Sequence, residues 1–113
     1  MDPILEMADK LGKAIAVSPQ DTTLREARKE LDKHADILQL LKDFRAQADK
    51  VAQLESEQKP VEVDDKHKYE ELHGKLIASD VFKKYTAAQV EFVDLMRKVN
   101  GSLRRQLAQL DAQ

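Results

Sequence analysis

No cysteine occurs among the 113 residues. This excludes disulfides, thiolate metal sites and cysteine nucleophiles together, and it fits a cytoplasmic protein. Glycine and proline number three each and aromatics only 4%, a poor supply of strand and turn formers. No apolar run approaches the ~20 residues that span a bilayer, so no membrane association is expected. The opening segment carries Asp2, Glu6 and Asp9 among its apolar positions, which is not the pattern of a secretory signal. Neither sign of charge dominates. The formal net charge is −2, whereas a dedicated nucleic-acid binder has a basic footprint.

Leu, Ala, Lys, Glu, Asp and Gln are abundant, and charged residues reach 35%. These are helix formers. The expected fold is all-α: an antiparallel helical bundle of about four to five helices with a long C-terminal helix. The length suits one small domain over residues 1–113 with a modest core. Its expected division is N-terminal helices in 1–58, a connector in 59–63 and a C-terminal helical hairpin in 64–113.

Ile4, Leu5, Ala8, Leu11 and Ile15 share one face of a first helix, with Glu6, Asp9, Lys10 and Lys13 on the other. Asp2 suits its cap and Pro3 its first turn. Ser18-Pro19 stops that helix and starts a second, with Asp21 completing a pattern like a capping box. The second carries a thin stripe of Leu24, Ala27 and Leu31. A third, of about twenty residues, presents Ile37, Leu40, Leu41, Phe44, Ala48, Val51 and Leu54 and stops before Pro60. Asp64 or Asp65 is expected to cap a short fourth helix bearing Tyr69, Leu72, Leu76 and Ile77, where Gly74 suggests close packing. Ser79-Asp80 is a further cap signal.

The most informative stretch follows. Phe82, Tyr85, Gln89, Phe92, Met96, Val99 and Leu103 recur at alternating spacings of four and three, a heptad seam on one helix. Leu107 and Leu110 extend the stripe beyond Asn100-Gly101, so a single helix is expected through Gly101. At ~1.5 Å per residue it reaches about 45 Å. Such a stripe is stable only when covered. The other helices, the first included, are expected to cover its first half, leaving the Met96–Leu110 end for a partner. These nine residues are the candidate interface. Gln89 either sets register within the seam or lies at its edge.

Candidate chemistry is sparse. Glu70-x-x-His73 has the spacing used in di-metal carboxylate bundles, but such sites need two motifs and two further glutamates. Asp64-x-x-His67 lies on the same helix and cannot supply the opposite side. Lys66, Lys68, Glu71 and Lys75 around both pairs read as a solvated face. His34, beside Asp32, Lys33 and Asp36, reads as a junction or cap residue. No nucleophile–base arrangement and no glycine-rich phosphate loop is present. Arg97, Lys98, Arg104 and Arg105 form a basic end segment, a candidate RNA contact. The simpler reading is charge that favours a helix C-terminus.

The element order resembles the YlbF/YmcA family. Pro60-Val61, Tyr69-x-x-Leu72, then Ser79-Asp80 leading to Tyr85, Ala88, Phe92 and Val99 are similar to its C-terminal half. Ala8-x-x-Leu11-Gly12-x-x-Ile15 and Leu40-Leu41-Lys42-Asp43-Phe44 resemble its N-terminal half. The resemblance implies a helical, bacterial, cytoplasmic protein that associates with itself and with other regulatory proteins. Members are linked to competence, sporulation and biofilm development. Some act in a complex that modulates messenger-RNA processing, where cysteines are associated with iron–sulfur clusters. A chain without cysteine is similar to the cluster-free branch, and no catalytic, metal or cofactor residue carries over. The expectation is therefore a non-enzymatic adaptor or regulator without cofactor, a homo-oligomer of dimer or higher order. The alternative is an RNA-associated accessory protein.

Overall fold

The computed structural model describes residues 2–111, with side chains through residue 109. It contains five helices: α1 (Pro3–Ala16), α2 (Pro19–Asp32), α3 (Ala35–Ser56), α4 (Val63–Ile77) and α5 (Asp80–Asp111). No strand occurs among the described residues. The chain forms two compact units, one of Met1–Ala27 with Thr86–Gln113 and one of Arg28–Tyr85. Helices α2 and α5 contribute residues to both.

In the first unit, Asp2 caps α1, its Oδ1 accepting from the Ile4 amide at 2.9 Å. Ser18 Oγ accepts from the Asp21 amide at 3.1 Å and donates to the Ile15 carbonyl at 2.6 Å, closing one helix while opening the next. Only half of the expected capping box forms, because the Asp21 carboxylate turns to Arg25 Nε, 2.6 Å away. Leu24 and Ala27 are half-buried. No residue of α1 is buried, although its apolar and charged residues segregate cleanly. Leu11 and Ile15 are the most covered of its large apolar residues, whereas Ile4, Leu5 and Met7 stay exposed. Periodicity identifies a face that needs cover without saying what supplies it.

The second unit holds most of the buried core: Leu31, Leu41, Leu76 and Tyr85, with Gln47 the one buried polar residue among those described. Helices α3 and α4 pack antiparallel. Phe44 meets Tyr69 and His73 at ring-centroid distances of 5.0 and 5.7 Å, and the His73 ring lies within 10° of parallel to Tyr69. Further along, Gln47 Nε2 donates to the Asp65 carbonyl at 2.9 Å and to its Oδ1 at 3.3 Å. Lys50 Nζ donates to the same carboxylate at 2.8 Å. This clasp is why Asp65 does not cap α4. The helix begins at Val63 behind Glu62, which makes no side-chain cap bond, and the Asp65 carboxylate faces α3 instead.

The α3–α4 connection is a tight C-terminal turn. Gln58 N–H donates to the Glu55 carbonyl at 3.1 Å and Lys59 N–H to the Leu54 carbonyl at 2.8 Å. These are the two bonds of a Schellman motif, which needs a left-handed residue between them. Gln58 takes that role with φ of 58°, where glycine would serve without the Cβ penalty. Val61 then tucks in half-buried, whereas Pro60 stays exposed. Gly74 is not a close-packing site: a Cβ there meets nothing within 4 Å. Ser79 Oγ accepts from the Phe82 amide at 3.2 Å, so α5 is capped as expected. It passes through Asn100-Gly101 unbroken.

Two measurements check these details. Gly74→Ala and Gln58→Gly should each raise unfolding stability by about 0.5–1 kcal/mol in urea denaturation, the first through helix propensity and the second by relieving φ strain. The Lys50 and Gln47 hydrogen bonds hold the Asp65 carboxyl below its ordinary carboxylate value. A depressed folded pKa stabilises the fold above the unfolded value and loses that contribution as pH falls through the folded value. Stability of the natural chain should therefore fall with acid below about pH 4 more than that of Asp65→Asn.

Candidate association surface

The seam of α5 grades from buried to exposed along the helix. Within the second unit Phe82 is half-buried and Tyr85 buried, with the Arg28 guanidinium 6.0 Å from the Tyr85 ring centroid. Within the first unit Ala88 is buried, and Gln89, Phe92, Met96 and Val99 are half-buried. Leu103 and Leu107, on the same helix face, are 53% and 62% exposed. The side chain of Leu110 lies outside the described residues. The sequence reads as one uniform ladder, yet only its N-terminal part is withdrawn from water.

A second apolar strip of α5 lies off the seam. Val90 and Val93 are 63% and 53% exposed and, with Thr86, Gln89, Asp94 and Arg97, line a shallow depression of about 450 Å³. Sequence reading missed it because the two valines do not fall in the heptad register. Helix α1 adds Ile4, Leu5 and Met7, at 75%, 62% and 72% exposure, and Leu11 at 39%.

Arg97, Lys98, Arg104 and Arg105 are all exposed. Arg97 and Arg104, seven residues apart, line a common depression with Met96 and Asn100. Lys98 is drawn back to Asp94 at 3.1 Å, an exposed pair one turn away. Such pairs are worth little by themselves. The four cations do not converge on one point: successive residues on a helix are ~100° apart, so Arg97 with Arg104 and Lys98 with Arg105 occupy separate lines.

The metal-like spacing of Glu70 and His73 resolves into packing, because His73 belongs to the Phe44–Tyr69 aromatic group. Among the described residues no group of three or more His, Asp or Glu side chains is placed to hold a metal ion. His34 occupies the N-cap position of α3 without a side-chain cap bond, its Nε2 3.5 Å from Glu30 Oε1. Gln47 and Lys50, which hold α4 in place, went unnoticed as a pair. The available signal was a polar Gln47 at heptad spacing from Phe44, Val51 and Leu54.

No described helix is long and apolar enough to cross a membrane. No curated protein and no solved structure matches the chain. A family model described as "Control of competence regulator ComK, YlbF/YmcA" matches residues 4–108. The chain belongs to the YlbF/YmcA family.

Proposed function

We propose that this YlbF/YmcA-family chain is a non-enzymatic, cytoplasmic adaptor or regulator. It works through protein–protein association, forming a homo-oligomer of dimer or higher order and meeting other regulatory proteins. The observation that carries this reading is the passage of the α5 seam into open solvent at Leu103 and Leu107. Regularly spaced, exposed apolar side chains on a helix mark a surface that another protein covers. The family description points the same way, since control of a competence regulator is exercised on a protein.

Light scattering on purified protein at micromolar concentration tests the reading. A mass above that of one chain is expected, and a strict monomer overturns self-association. Met96→Asp should weaken the assembly by roughly 3 kcal/mol, because an unpaired charge would enter the covered seam. Leu107→Asp supplies the cleaner comparison. Its side chain is already in water in the single chain, so association should fall while monomer stability stays within about 0.5 kcal/mol.

The exposure of all four basic residues favours a second reading, an RNA-associated accessory role for Arg97, Lys98, Arg104 and Arg105. It predicts RNA binding that weakens as salt rises and is lost when the four are neutralised. Absence of binding, or binding unchanged by neutralisation, removes it.

A further inference from the structure

Helix α1 has fourteen residues, a clean apolar stripe and not one buried residue. A helix of that length is marginal in water without tertiary contacts, so its stripe calls for cover. We infer that α1 docks antiparallel against the α1 of a second copy, about a two-fold axis passing between Asp9 and Lys10. This inference rests on the self-association proposed above and assigns it a second element.

Three observations choose this occupant. The first is the pattern of side-chain size. At 100° per residue, Ile4, Ala8, Leu11 and Ile15 run down the centre of the stripe, with Leu5 and Gly12 on one edge and Met7 and Ala14 on the other. Antiparallel pairing about that axis sets Ala8 against the partner's Leu11, Leu5 against the partner's Gly12 and Met7 against the partner's Ala14. Leu11, Leu5 and Met7 each face a small side chain, and only at the ends do two large ones meet, Ile4 with the partner's Ile15. A two-fold interface must be self-complementary in this way.

The second observation is area. The four exposed large apolar side chains of α1 and the four of α5 leave roughly 500 Å² of apolar surface in water, at ~100 Å² per side chain. A standard interface takes ~800 Å² per partner, a little over half of it apolar. Helix α1 by itself supplies about half of that apolar area. The third is charge. Glu6 and Asp9 balance Lys10 and Lys13 on the outer face, whereas a helix that lies on a membrane is rich in Lys and Arg there. The surface suits protein, not anionic lipid.

The full-length chain tests this by light scattering across a concentration series, with Leu107→Asp as the comparison. Ala8→Glu places a charge opposite the partner's Leu11 and should raise the dimer dissociation constant more than tenfold. Gly12→Leu is the sharper variant. A Cβ at Gly12 meets nothing within 4 Å in the single chain, so the change should favour α1 helicity in the monomer while obstructing the dimer. Purely structural damage would not produce that opposite movement. Because the chain has no cysteine, chains carrying Ala8→Cys and Leu11→Cys, mixed and oxidised, should form the cross-linked heterodimer in preference to either homodimer. A wild-type dimer untouched by Ala8→Glu and Gly12→Leu but lost in Leu107→Asp overturns the α1 inference and leaves the α5 reading standing. A wild-type monomer at every concentration overturns both. Monomeric protein that binds vesicles of phosphatidylserine and phosphatidylcholine through α1 overturns the choice of a second copy.

Discussion

Leu31, Leu41, Leu76 and Tyr85 are withdrawn from water within the second unit, whereas α1 leaves Ile4, Leu5 and Met7 in it. Everything else about the chain depends on this unequal coverage of apolar helix faces. Burial of a full Leu or Tyr-sized side chain contributes about 1.5–3 kcal/mol, a large share of the marginal stability of a small domain. The unit that achieves such burial also carries the specific polar and aromatic contacts. The unit that does not is the one with surface to offer.

The α3–α4 hairpin shows how burial is made specific. Apolar stripes alone tolerate sliding by a turn, since a heptad pattern looks much the same one register along. The Gln47 amide and Lys50 ammonium meeting at Asp65, and the aromatic contact of Phe44 with Tyr69 and His73, each have one geometry. A slipped register would leave the buried Gln47 amide without its partner, which costs about 1–3 kcal/mol. The left-handed turn at Gln58 sets the entry to α4 from the other side.

The proposed association rests on the same physics. Both α1 and the C-terminal part of α5 carry apolar side chains that the chain leaves exposed. Family membership over residues 4–108 places these strips in a lineage named for control of another protein. Arg97 and Arg104 line a depression together with the apolar Val93 and Met96.

The helical class, the caps at Asp2, Ser18 and Ser79 and the family are legible in the amino-acid order, because these depend on near-neighbour chemistry and on a 3.6-residue period, whereas the passage of α5 through Asn100-Gly101 is settled by the structure. Tertiary structure decided which stripes are covered. It turned Asp65 from an expected cap into the target of Gln47 and Lys50, brought His73 beside Phe44 and Tyr69, opened the space around Gly74 and left Ile4, Leu5 and Met7 of α1 exposed. Each of those outcomes depends on residues distant in the chain or on an absent neighbour, and periodicity encodes neither. The heptad ladder of α5 looks uniform as text. Only packing separates Tyr85, which the chain covers itself, from Leu107, which it leaves in water.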